Sequence, residues 1–158
     1  MQPEQRRALE RRYRTAEWRG RSRHAKRAPK SFRVDDWKIP GWLLQRMRRD
    51  DLAQPKLIHS VWRNEDRGTK RVVIDGFACP SVEAAHDQLI EALSEIESEF
   101  IERQEGKTAV GDVAFAVRGA MVYFARANLL LLIRSAGPES APVENIAHYL
   151  DKSLERVS

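Results

Sequence analysis

Between Val113 and Ser135 three β-rich runs, VAFAV (113–117), MVYFAR (121–126) and LLLLIRS (129–135), are parted only by Arg118-Gly119-Ala120 and Ala127-Asn128. Connections that short join antiparallel neighbours, so this stretch commits the chain to a β-meander. Upstream, LIHSVWR (57–63) and RVVIDGFA (71–78) flank NEDRGTK, whose Asp66 and Gly68 suit a hairpin loop.

Two helices accompany these strands. Pro80-Ser81 introduces the first, with Ser81 as N-cap, and helical spacing of Val82, Leu89, Leu93, Ile96 and Phe100 carries it to about Arg103. GKTAVGD breaks it. The second follows AGPESAP and runs from Val143 to about Val157, with Val143, Ile146, Ala147, Leu150 and Leu154 inward. The expected fold is α+β in the order β-β-α-β-β-β-α, an antiparallel sheet of about five strands with both helices on one face. VEAAHDQLIEAL from Val82 and VENIAHYLDKSL from Val143 superpose without gaps, matching Val82 with Val143, Glu83 with Glu144, Leu89 with Leu150 and Leu93 with Leu154. An internal duplication would produce that match, and so would ordinary helix-start chemistry after a Pro-rich loop.

Charge divides the chain. Its net +5 is the balance of +10 in residues 1–50 and −5 in residues 51–158, which marks a charged tail on a domain. We therefore expect a basic arm and linker over 1–49, partly helical or disordered, and an α+β domain over 50–158. Residues 3–19 can form a helix behind Pro3, although Ala8, Leu9, Tyr13, Ala16 and Trp18 make a thin apolar stripe. Ala28-Pro29 breaks it, and after Pro40-Gly41 a short helix is expected to carry Trp42, Leu43, Leu44 and Met47 on one side.

Gly111-Asp112 before a strand, Arg126-Ala127-Asn128 between two strands, and Asp151 late in a closing helix form a pattern over about 50 residues. In this the C-terminal half resembles small bacterial α+β domains, often exported or lipoprotein-linked, without assigned catalytic activity. The resemblance implies the fold and no active site, and its motifs are structural. The basic N-terminus departs from that pattern.

The chemistry that can be excluded is considerable. The eight glycines form neither G-x-x-x-x-G-K nor G-x-G-x-x-G, and no H-E-x-x-H or paired C-x-x-C occurs. A single cysteine, Cys79, rules out an internal disulfide and reads as a small buried residue. His86 falls beside the apolar stripe of its helix and reads as a boundary histidine bonded to a neighbouring strand, while His24, His59 and His148 lack metal-ligand spacing. No cofactor or metal is implied, and Asp112 and Asp151 read as turn and helix-surface residues.

Two charged features remain. Arg6, Arg7, Arg11, Arg12, Arg14, Arg19, Arg21, Arg23, Lys26 and Arg27 concentrate phosphate-binding capacity in the arm, with Tyr13 and Trp18 able to stack. Glu83, Asp87, Glu91, Glu95 and Glu99 recur every four residues as an acidic docking face. Its nearest basic candidate is the chain's own arm, in the same molecule or a second copy. The first expectation for function is a non-catalytic interaction module with a protein partner or self-association. A nucleic-acid-binding accessory protein using the arm is the alternative, and an anionic membrane surface, anchored by Trp37 and Trp42, is a further contact of the same charge. A small hydrolase-like enzyme would need a site the sequence does not pair. No apolar run approaches the ~20 residues of a bilayer span, and the expected location is cytoplasmic for a complete chain and extracytoplasmic or membrane-associated for one trimmed of an export signal or anchor.

Overall fold

In the computed structural model, residues 1–26, 37–53, 55–66 and 68–156 are described. Helix α1 (Pro3–Arg12) is followed by a 3-10 turn (Thr15–Glu17), strands β1 (Trp42–Asp50), β2 (Lys56–Asn64) and β3 (Arg71–Ala78), and helix α2 (Val82–Ser94). Then come β4 (Glu102–Arg103), β5 (Val113–Val117), β6 (Met121–Arg126), β7 (Leu129–Ser135) and helix α3 (Val143–Arg156). The seven strands form one antiparallel sheet in the order β1-β2-β3-β7-β6-β5-β4, so the α+β class holds with more strands than expected.

The helices do not share a face. In β7, Leu129, Leu131 and Ile133 point to the side where α3 brings Val143, Ile146, Ala147, Leu150 and Leu154. Leu130 and Leu132 point to the other side, where Leu89, Ile90 and Leu93 of α2 meet Phe115 and Tyr123. A strand apolar at every position needs cover on both faces, and two opposed helices supply it. The expectation of both helices on one face is thus corrected. The repeat is not carried into space either. A rotation exchanging antiparallel β3 and β7 stands perpendicular to the sheet and would keep both helices on the same side.

Two further expectations give way. Trp42–Asp50 forms an edge strand instead of a short helix, paired with β2 and bulged between Leu44 and Arg46. The extra residue breaks the alternation that would have marked a strand. Helix α2 stops at Ser94, leaving Glu99 beyond it and Phe100 77% exposed instead of buried. Its last turn carries no basic residue. Acidic side chains there oppose the helix dipole, and the run from Glu91 to Glu99 adds mutual repulsion.

The arm is folded onto the sheet. Gln2 and Gln5 form a capping box at the start of α1, and Arg14 leaves the helix in the left-handed region (φ 52°). Tyr13 and Trp18, each 4% exposed, then enter the α2-side core. Their rings meet Phe115 edge-on at 5.1 and 5.8 Å.

Candidate binding face of the sheet

The arm's charges are largely satisfied by the chain itself. Arg6 donates to Glu10 (3.0 Å) and Asp87 (2.9 Å) and lies 3.9 Å from Glu91. Arg19 also donates to Asp87 (2.7 Å), Arg14 reaches Glu105 (3.2 Å), and Arg103 returns the contact to Glu17 (2.6 Å). Arg12, Arg21 and Arg23 donate to the carbonyls of Ser98, Glu17 and Gly111. Glu83 lies against Gly20. Arg7, Arg11 and Lys26 are exposed, and Arg27 lies outside the described residues. Of the acidic face, Glu83, Asp87 and Glu91 meet the arm, while Glu95 caps the helix end.

Two buried groups fasten the arm, and sequence reading assigned neither that role. His86 is fully buried, and its Nδ1 accepts the Gly20 N–H at 2.8 Å. Accepting there places the proton on Nε2, and burial lowers the ring's pKa. The boundary histidine bonded to a strand is therefore corrected to a core histidine bonded to the arm. Asp112, read as a turn residue, receives Ser22 Oγ–H (2.6 Å), the Arg23 N–H (3.2 Å), His24 Nδ1–H (2.8 Å) and the Ala127 N–H (2.7 Å). Burial alone would raise its pKa, but these donors outweigh that and hold the carboxyl below its usual range. One carboxylate thus fixes both the end of the arm and the β6–β7 turn, where Ala127 sits at φ 50°. Cys79 is buried, and desolvation pushes its thiol pKa up to about 12, so it stays protonated at neutral pH. Asp151 accepts from Arg126 at 2.7 Å, and His148 lies in α3.

A second group of cations without carboxylate partners lies on the sheet. Pairing register sets four rows of side chains on the α2-side face of β1, β2 and β3. Leu43 is opposite Arg63, which is opposite Arg71. Arg46 is followed by Val61, Val73 and Arg134. Arg48 is followed by His59, Asp75 and Leu132, and Asp50 by Leu57, Phe77 and Leu130. Helix α2 packs over β6 and β7. Among the described residues no buried cluster forms over this side of β1 and β2. The alternation is legible in the burial, with Ile58, Ser60 and Trp62 of β2 enclosed on the α3 side and Leu57, His59, Val61 and Arg63 half-buried on this one.

The result is an open half-sheet whose floor is Val61 and Val73. Arg46, Arg48, Arg71 and Arg134 are exposed around it, with Arg63 half-buried. Arg134 Nη2 donates to Asp75 Oδ2 at 3.1 Å, and His59 Nδ1 lies 2.5 Å from Asp75 Oδ1. Among the described residues, Arg46, Arg48, Arg63 and Arg71 form no ion pair. Arginines and bulges protect exposed edge strands from mispairing, which accounts for Arg46 and Arg48. It does not account for Arg63, Arg71 and Arg134 on interior strands. Arg63 directly opposite Arg71 places two guanidinium groups where like charges destabilise the sheet. The sequence signal was present in the outward positions of 57–63 and 71–78, but it was outweighed by the denser charge of the arm.

Among the described residues, no group of three or more His, Cys, Asp and Glu side chains is arranged to hold a metal ion. No described helix is long and apolar enough to cross a membrane. No protein-family model, curated protein or solved structure matches the chain.

Proposed function

We propose that this protein is a non-catalytic interaction module that binds an anionic partner through the open half of its sheet. The arm and acidic helix are then parts of one scaffold. One observation carries this reading, namely that Arg46 and Arg48 of β1, Arg63 of β2 and Arg71 of β3 gather without ion pairs on a face left open among the described residues, while most arm arginines are engaged by the chain. Arginine favours bidentate contacts with carboxylate, sulfate or phosphate, and a half-sheet holds such groups in fixed register.

Heparin, as a generic polyanion, tests the surface. An Arg63→Glu/Arg71→Glu chain should lose at least about tenfold in affinity, each tenfold step being ~1.4 kcal/mol. An Arg7→Glu/Arg11→Glu chain should stay within about twofold. The reverse ranking would overturn the reading and favour the arm as the contact surface, which the exposure of Arg7, Arg11 and Lys26 supports. Thermal unfolding of each variant checks that the fold is retained.

A further inference from the structure

We infer that the open half-sheet takes a single-stranded nucleic acid, an inference that rests on the reading of this face as the contact surface. The argument turns on which hydrogen-bonding groups the face offers. Its cationic groups, Arg46, Arg48, Arg63 and Arg71, are guanidinium donors without an acceptor, and the His59 Nε2 is one of the few acceptors among them. Of the two carboxylates there, Asp75 is engaged by His59 and Arg134, and Asp50, at the margin of the face, accepts the Leu52 and Ala53 N–H groups on Oδ1.

A peptide lying across this floor would bring main-chain N–H groups to a surface with almost nothing to accept them, and burying unpaired donors is costly. A phosphodiester backbone carries acceptors only. Its bases can rest on Val61 and Val73 or stack on guanidinium planes, a contact that tolerates any sequence. A peptide could instead extend the sheet at β1, but Arg63 and Arg71 would then lie beside the contact and not in it.

The surroundings limit the shape of the polyanion. Helix α2 stands on β6 and β7, and α1 packs on α2. A helix layer is about 10 Å thick, so the open half is recessed beside it and a planar bilayer meets the helices first. The border of α2 toward the recess is acidic. Glu91 lines a cleft with Gln88, Pro55 and the Arg6 that lies 3.9 Å from it, and Glu95, which forms no ion pair among the described residues, acts on the buried Tyr123 together with Arg134 and Asp75. A duplex laid on the arginines would press its second row of phosphates toward those carboxylates, whereas a single strand stays on the basic rows.

The test is fluorescence anisotropy on the full chain with labelled oligomers of about 12 nucleotides, within the usual site size. Single-stranded RNA and DNA, the matching duplex, polyglutamate, phosphatidylserine vesicles and heparin are compared. Single strands should bind at least about tenfold more tightly than the duplex or polyglutamate, and RNA against DNA reads whether the 2′-hydroxyl contributes. Four phosphate contacts predict a slope of log K on log salt near −2.8, at about −0.7 per phosphate. Arg63→Gln/Arg71→Gln and, independently, Arg46→Gln/Arg48→Gln should each flatten it by about 1.4 units, and either pair suffices should the other fail to fold. Heparin binding lost with Arg63→Glu/Arg71→Glu, but single strands binding no better than duplex, polyglutamate or vesicles, would overturn this inference and leave the anionic-partner reading standing. No dependence of heparin or oligomer binding on the sheet arginines would overturn both.

Discussion

Asp112 and Gly111 show how much of this fold rests on two adjacent residues. The Asp112 carboxylate gathers four donors from two separate segments, and its side chain is 5% exposed. Replacement by Ala leaves those donors unpaired, and hydrogen bonds to a buried charge contribute ~1.5–3 kcal/mol each at most. Asp112→Ala should therefore cost about 3 kcal/mol or more by urea denaturation. Gly111 sits at φ +62°, and a Cβ there would come within 2.4 Å of the Ala125 carbonyl oxygen and 2.9 Å of the Phe124 ring. Gly111→Ala thus meets both an unfavourable backbone conformation and a backbone clash, and a cost above ~2 kcal/mol is expected.

His86 adds a dependence on pH. Its Nδ1 can accept from Gly20 only while the ring is neutral, and burial lowers its pKa below the ordinary 6.5. The unfolded chain therefore takes up the proton first as pH falls below about 6.5, so stability rises with pH across that window and is complete above it. Asp112 acts with the same sign at lower pH. Its contribution is complete above the ordinary 3.8 and lost as pH falls through its lower folded value. Hydrogen-exchange protection of the Gly20 amide should fall between pH 7 and pH 5. In a His86→Gln chain that change should vanish, and equal loss of protection in both chains would exclude the histidine as its source.

At the scale of elements, legibility followed hydrophobic period. Strands β5, β6 and β7 and helix α3 stand where their apolar spacing predicts, because nothing interrupts their patterns. β1 departs from the expected short helix because its bulge shifts Trp42 and Leu44 out of phase with Met47 and Arg49, and a broken period of two resembles a short helical face. The opposed placement of α2 and α3 could have been inferred from LLLLI, a run buried on both sides, whereas β2 and β3 alternate and so are covered on one side only. The candidate face follows from that same alternation, but assembling it requires strand order and register, which one sequence does not fix. Its Arg63–Arg71 pair has an energetic signature. Like charges directly opposite are unfavourable by ~0.2–1 kcal/mol, so Arg71→Gln should raise stability by a few tenths of a kcal/mol while weakening polyanion binding. A destabilised variant would show that the guanidinium is structural.

For the whole molecule, the division between a basic arm and an acidic remainder is one of sequence more than of structure. Ion pairs hold Arg6, Arg14 and Arg19 to α2 and its neighbours, but they are partly exposed, and such pairs contribute little in water. Attachment must come mainly from Tyr13 and Trp18, whose rings close the α2-side core over Phe115. Removing the Trp18 side chain should cost ~3–5 kcal/mol, the range for a buried tryptophan cut to alanine, and little of that loss should depend on salt. Deleting residues 1–26 goes further, since it uncovers Phe115, the buried His86 and the adjoining apolar face together. Contiguous apolar surface of that kind drives association, so the shortened chain should bind a hydrophobic dye and self-associate in sedimentation. Whatever fraction stays monomeric should retain heparin affinity within about threefold, or ~0.7 kcal/mol, because the sheet arginines are untouched. A soluble, dye-negative monomer that has lost heparin would place the contact surface in the arm and reduce the open half-sheet to a solvated face.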